Sequence, residues 1–197
     1  HMGQEAILVW GAERLSAHSA KDGEMHWVST GFNPKQKKNW VVVGSQVVVG
    51  NIAIVPYGRG THMKGIRMGG KGDVTESNLL WSRTDTGCFV PSPAVAHGKV
   101  YVLRDRGEVH CLNPKTGKSH WEDAFPRASS SYYASPTVAG SKLYAPREDG
   151  VILIADISKG FKFIGEFDMG ERVIASPVPV NNQILIRGEK NLLCFGG

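Results

Sequence analysis

A short unit recurs along this chain, and that recurrence restricts the possible folds more than any single motif does. Its clearest copy is residues 99–121, KVYVLRDRGEVHCLNPKTGKSHW. This reads as a strand, a tight turn, a second strand, a polar Asn-Pro-Lys-Thr-Gly turn and a third strand closing on Trp121. A unit this short cannot bury an apolar face alone and needs neighbours of its own kind. Four copies open on a serine: Ser45-Gln46-Val47-Val48, Ser92-Pro93-Ala94-Val95, Ser135-Pro136-Thr137-Val138 and Ser176-Pro177-Val178-Pro179. Successive serines are 47, 43 and 41 residues apart. The end of the unit repeats as well. Gly23 precedes Trp27 by four residues, Gly117 precedes Trp121 by four, and Gly160 precedes Ile164 by four, so Ile164 is read as the replacement for Trp.

The strands are short and rich in β-branched residues, as in Val100-Tyr101-Val102-Leu103 and Val151-Ile152-Leu153-Ile154-Ala155. Turn pairs such as Arg106-Gly107, Asp149-Gly150 and Asn181-Asn182 bound them. Several are apolar nearly throughout, which implies burial on both faces. A period in the low forties with several strands per unit is the signature of β-propeller blades. The expected fold is therefore all-β: a propeller of four-stranded antiparallel blades, four to five in this chain, forming part of a seven- or eight-bladed ring. With strands a to d counted from the axis outward, the blades run from about Ala6 to Val28 (b to d only), Ser45 to Ser82, Ser92 to Asp123, Ser135 to Phe167, and from Ser176 to Phe195 without strand d. Both ends then carry unpaired strand edges, which invite pairing with another chain and make a homodimer possible.

His1-Met2 resembles a cloning scar, leaving residues 3–197 as a single propeller domain, the C-terminal part of a larger ring. No run approaches the ~20 apolar residues of a membrane span. Lys and Arg number 23 against 18 Asp and Glu, a net charge of +5. That mild excess, without a basic stripe, is not a nucleic-acid signature. The run Lys35-Gln36-Lys37-Lys38 reads as a solvated loop. Cys88, Cys111 and Cys194 are far apart and make neither a CxxC pair nor a disulfide framework. No HExxH, GxSxG or zinc-type Cys/His spacing occurs, so no catalytic and no metal-binding residue is assigned.

The stretch from Leu15-Ser16-Ala17-His18-Ser19 through Gly23 to Trp27 follows the pattern Leu-x-Ala-x-Asp-x-x-Thr-Gly-x-x-x-Trp, with Ser19 in place of Asp. A second copy runs from His110-Cys111-Leu112-Asn113-Pro114-Lys115-Thr116-Gly117 to Trp121, with Asn113 in that place. This pattern resembles the PQQ-like β-propeller repeat of the quinoprotein dehydrogenase superfamily. Tyr57-Gly58-Arg59-Gly60 and Gly69-Gly70-Lys71-Gly72-Asp73-Val74-Thr75 resemble a subgroup of secreted bacterial propellers of unassigned function, and the last blade is similar to the C-terminus of such proteins. The resemblance implies a periplasmic or secreted protein. Quinone-binding relatives use a vicinal Cys-Cys disulfide and an Asp base beside calcium; no Cys-Cys pair occurs here, so no PQQ or other cofactor is expected.

The best ligand-binding candidates are four arginines at the end of strand b in successive blades: Arg59, Arg104, Arg147 and Arg187. They lie 14, 12, 12 and 11 residues after the leading serines. On one face of a ring they form a cationic rim suited to carboxylates, sulfates or phosphates. The plainer reading pairs each with a nearby acid: Arg104 with Asp105, Arg147 with Glu148 or Asp149, Arg187 with Glu189. Lys71 and Asp73, in the glycine-rich loop, are the second candidate, either as an anion cradle or as a b–c or c–d excursion. Trp27, Trp81 and Trp121 recur in register and read as blade packing, whereas Trp10 and Trp40 lie outside it and are the better sugar-stacking candidates. The function that fits is a non-enzymatic scaffold outside the cytoplasm, binding a protein or a small anionic or carbohydrate ligand on its loop face. Two alternatives stay open: a quinoprotein-type or carbohydrate-active enzyme, and the sensor domain of a receptor or kinase.

Overall fold

The structure, a computed structural model, describes residues 5–11 and 13–196. His1-Met2 lies outside the described residues. Every regular element among them is a strand, and no helix is long and apolar enough to cross a membrane. The strands form five sheets. The first holds β1 (Ala6–Trp10), β2 (Leu15–Ser19) and β3 (Met25–Ser29). The second is β4 (Val47–Val49), β5 (Ile52–Tyr57), β6 (His62–Arg67) and β8 (Leu79–Arg83). The third runs β9 (Ala94–Ala96), β10 (Lys99–Leu103), β11 (Glu108–Leu112), β12 (Ser119–Ala124). The fourth is β13 (Thr137–Ala139), β14 (Lys142–Pro146), β15 (Val151–Asp156), β16 (Lys162–Asp168). The fifth has three strands, β17 (Val178–Val180), β18 (Gln183–Arg187) and β19 (Leu192–Phe195). The inner strands β4, β9, β13 and β17 are neighbours in that order, so the sheets stand as successive blades.

The leading serines make the joint between blades. Ser45 donates its backbone N–H to Ser92 Oγ (2.9 Å), Ser92 to Ser135 Oγ (2.9 Å), and Ser135 to Ser176 Oγ (3.0 Å). Ser92 and Ser135 thus each give a backbone hydrogen bond to the blade ahead and accept one from the blade behind. Thr137 Oγ1 adds a bond to the Pro177 carbonyl (2.8 Å).

Between blades the joint is apolar. Strand β10 shows how period-two alternation serves two interfaces at once. Val100 and Val102 face Ile52, Ile54, Met63 and Trp81 of the second blade. Tyr101 and Leu103 face Leu143, Ala145 and Leu153 of the fourth. A strand clad on both sides has no polar face, which is why these sequences lack alternation.

The tryptophans pack by cross-strand complementarity. Trp27, Trp81 and Trp121 stand opposite Ala17, Gly65 and Cys111, small residues that leave room for an indole. Trp81 also reaches the next blade, donating Nε1–H to the Pro114 carbonyl (2.8 Å). There Gly117 lies so near the indole that a Cβ would come within 2.5 Å of it, and its φ of +78 counterpart at Gly23 is matched by +68 here, so the Thr-Gly turn needs glycine. Ile164 is not the fourth tryptophan position. Each outer strand has a one-residue bulge before the tryptophan, and Ile164 is the bulged residue, 45% exposed. The equivalent place is Gly165, opposite Ile154, so the large and small partners have exchanged strands.

One pairing lies outside the antiparallel scheme. The two-residue strand β7 (Gly72–Asp73), part of the long loop between β6 and β8, runs parallel to β3 and closes the outer edge of the first blade. Val74 N–H extends it to the Val28 carbonyl (2.8 Å).

A polar cluster ties the outer strands of the second and third blades. Arg83 bonds Asp85 (2.7 Å), Ser119 Oγ (2.8 Å) and Glu122 (3.3 Å). Buried His110 shares a 2.7 Å hydrogen bond with buried Thr86 and lies 3.8 Å from Glu122. Burial holds its imidazole below the ordinary value.

Two outcomes follow from these joints. Ser135→Ala removes the acceptor for Ser92 N–H and is expected to cost about 1–2 kcal/mol in denaturant unfolding, with an unchanged midpoint counting against the relay. Because the folded His110 resists protonation, the unfolded chain takes up the proton first as pH falls. Stability is expected to drop as pH goes below about 6.5. His110→Gln should shrink the difference between melting temperatures at pH ~7.5 and pH ~5.5.

Candidate ligand-binding face

The b–c turns and the d–a loops meet on one face. Tyr132 N–H bonds the Asp105 carbonyl, Glu148 N–H the Ser131 carbonyl, and Glu189 N–H the Arg172 carbonyl. The c–d turns lie with the a–b turns, as Met68 N–H to the Asn51 carbonyl and Ile157 N–H to the Ser141 carbonyl show. Since strands alternate in direction, these two sets occupy opposite ends of the blades.

All four arginines belong to b–c turns, but their surroundings differ. Arg147 is 8% exposed and bonds Asp149 through Nε (2.9 Å). Burial works against the Asp149 carboxylate, yet the guanidinium holds it below its ordinary range. Its neighbour Glu148 pairs instead with Arg172 across the d–a loop. Arg187 caps its own turn, donating to the carbonyls of Gly188 (2.5 Å) and Asn191 (3.1 Å), so it does not meet Glu189. The Arg59 and Arg104 guanidiniums have no ion pair or hydrogen bond among the described residues.

Arg59 and Arg104 come together with Arg106 around a cleft of about 190 Å³ between the second and third blades. Phe89, Asp105 and Glu108 share its wall. Arg59 is exposed, its guanidinium carbon 5.6 Å from the Phe89 ring centroid. Its backbone is left-handed (φ +57°), between Gly58 (+70°) and Gly60 (+79°), an uncommon state for an arginine. Burial pushes the Asp105 carboxyl up, while the Phe89 and Val90 amides draw it down. Its Oδ1 is buried with no hydrogen-bond partner.

Lys71 and Asp73 sit on the opposite face, in the c–d loop of the second blade. Asp73 accepts the Thr75 N–H (2.9 Å), and Thr75 Oγ1 accepts the Thr30 N–H (2.9 Å). The loop is built into the edge of the first blade, and the two candidate groups do not form one site. Trp40 and Trp10 are half-buried in an aromatic cluster. Trp40 donates its indole N–H to the Phe32 carbonyl, and Trp10 packs edge-on against Phe32 at 4.6 Å. Cys88 and Cys111 are buried free thiols and Cys194 is exposed, so the cysteines do not fit the vicinal pair of quinone-binding relatives. Among the described residues no group of three or more His, Cys, Asp or Glu could hold a metal ion.

One feature of this face is absent from the sequence reading although the same repeat carries it. Two residues before each leading serine stand Val43, Val90, Tyr133 and Ile174. Val43, Tyr133 and Ile174 are 52%, 38% and 55% exposed, while the residues that follow, Gly44, Ala134 and Ala175, are more buried. Gly44 N–H bonds the Phe89 carbonyl (2.9 Å), which sets Val43 beside the Phe89-Val90 loop. The d–a loops thus carry a collar of apolar side chains. Aligning backward from the serines would have found it.

The arginines should separate in mutagenesis. Arg147→Ala strands Asp149 in a partly buried turn and is expected to cost about 1–3 kcal/mol in unfolding. Arg59→Gly relieves a left-handed residue and is expected to leave stability unchanged or raise it by up to ~1 kcal/mol. Equal destabilisation by both would contradict this division.

A sequence profile described as outer membrane protein assembly factor BamB matches residues 70–162. No curated protein matches the sequence. Among solved structures, BamB from Moraxella catarrhalis is 16% identical with a TM-score of 0.69, covering 97% of this chain and 54% of its own. Sqt1 from Saccharomyces cerevisiae is 12% identical with a TM-score of 0.71, covering 96% and 55%. The computationally designed Ika4 protein is 13% identical with a TM-score of 0.62, covering 82% and 94%. This chain therefore spans about half the length of the two natural proteins. At these identities the likeness is one of fold, the β-propeller, and the profile match, over somewhat less than half of the chain, supports PQQ-like repeats.

Proposed function

We propose that this chain is a non-enzymatic binding and assembly scaffold acting outside the cytoplasm, in the periplasm or after secretion. The observation that carries this reading is the loop face itself. A relay of backbone-to-serine bonds holds the d–a loops at fixed spacing, and those loops offer exposed apolar side chains beside unpaired guanidiniums. Rigid loops with such a mixture suit recognition of another protein. The matching profile is named for an assembly factor, which supports the same class of role and an extracytoplasmic setting. Fold likeness alone does not transmit a partner.

A second contact region is the exposed apolar side of the terminal blades, with Ile7 and Val9 on β1 and Leu192 and Phe195 on β19. Self-association through these faces would appear in light scattering as a mass above the monomer that rises with concentration.

The scaffold reading is tested by cross-linking mass spectrometry in cells that naturally make the protein. The expected result is one recurrent polypeptide attached to this chain, recovered from an extracytoplasmic fraction. In parallel, adding PQQ and calcium to the purified protein should change neither its visible absorbance nor its melting temperature. Stoichiometric uptake of PQQ would replace the scaffold with the dehydrogenase.

A further inference from the structure

The loop face contains two complementary features. One is the apolar collar, of which Val90 lies in the same d–a loop as Phe89. The other is the cleft bearing Arg59, Arg104 and Arg106. Neither Arg59 nor Arg104 makes a salt bridge among the described residues, although the charge of Arg104 acts on Asp105, whereas Arg147 one blade further on is held by Asp149. Asp105 shares the wall of that cleft, its carboxyl held from behind by the Phe89 and Val90 amides.

A simple anion answers the guanidiniums alone. A neutral apolar ligand answers the collar alone. A polypeptide segment offers both groups together: a carboxylate side chain for the arginines and neighbouring apolar side chains for the collar. The left-handed Arg59 fits the same picture, since strain of this kind tends to gather where a side chain must be aimed.

We infer that the loop face binds a polypeptide segment in which apolar residues adjoin aspartate or glutamate. A carboxylate enters the cleft between Arg59, Arg104 and Arg106, and the apolar side chains rest on the collar formed by Val43, Val90, Tyr133 and Ile174. This rests on the protein-binding reading above and specifies its chemistry. Arg104 and Arg106 belong to binding, whereas Arg147 belongs to the fold.

The test uses a fluorescein-labelled peptide of alternating leucine and aspartate, titrated with the whole chain and followed by anisotropy. Binding is expected, weakening as sodium chloride is raised. The Arg104→Gln/Arg106→Gln double variant and the Tyr133→Ser/Ile174→Ser double variant should each weaken it by at least about tenfold. Peptides with lysine in place of aspartate, or serine in place of leucine, should bind at least about tenfold less tightly than the parent. These altered peptides test the claim on the unmodified protein, whatever the variants do to folding. Equal binding of the lysine peptide, equal binding of the serine peptide, or indifference to both double variants overturns the inference. If cellular cross-links to a recurrent polypeptide fall only on the c–d face or the terminal blades, the scaffold reading stands and this assignment of the loop face fails.

Discussion

A backbone amide donating to the serine hydroxyl of the next blade is the bond on which the geometry of this molecule depends. Sheets packed only through apolar side chains can slide over one another, because the hydrophobic effect has little direction. The hydrogen bond has a narrow range of length and angle, so it fixes the height and rotation of each inner strand against the next. Three such bonds join four blades. The first blade, which has no described inner strand, is tied differently, by Gln46 donating to the Leu8 carbonyl (3.3 Å). The relay explains why the repeat opens on serine: one small side chain must accept from behind while its own amide reaches ahead.

The relay also orders the functional face. Because it lies at the foot of the d–a loops, whatever stands just ahead of each serine is carried to the same place in every blade. The exposed residue two positions earlier and the buried residue that follows it are a direct result. The arginines, by contrast, sit on b–c turns whose sequences differ from blade to blade, so equivalent positions acquire unlike partners. Asp149 captures Arg147, backbone carbonyls capture Arg187, and Phe89 lies under Arg59.

Much of this was legible in the sequence, and the parts that were not have physical reasons. Blade limits followed from the leading serines and from apolar strands, since those features reflect period and burial. The tryptophan register was misread at one blade. A constant four-residue step from glycine placed Ile164 in the indole position, whereas pairing across the bulge places Gly165 there and moves the bulk to Ile154. Such an exchange leaves no trace in a linear motif. The parallel pairing of Gly72–Asp73 with β3 was invisible because two residues carry no periodicity. The glycine-rich loop that suggested anion binding contributes to the edge of a sheet. Which arginine is paired could not be read from spacing, because it depends on side-chain reach and on acids such as Glu148 that turn to a different partner.

The longest spacing between leading serines, 47 residues, occurs in the unit that carries the excursion between β6 and β8. Most of its extra length projects from the end of the blade remote from the relay. The architecture therefore separates two kinds of evolutionary freedom. Growth is cheap on one side, where an added segment can even be recruited to shield a neighbour's flank. On the other side each loop, whatever its length, must end on a serine at a fixed place, and novelty next to that anchor must come from exchanging side chains.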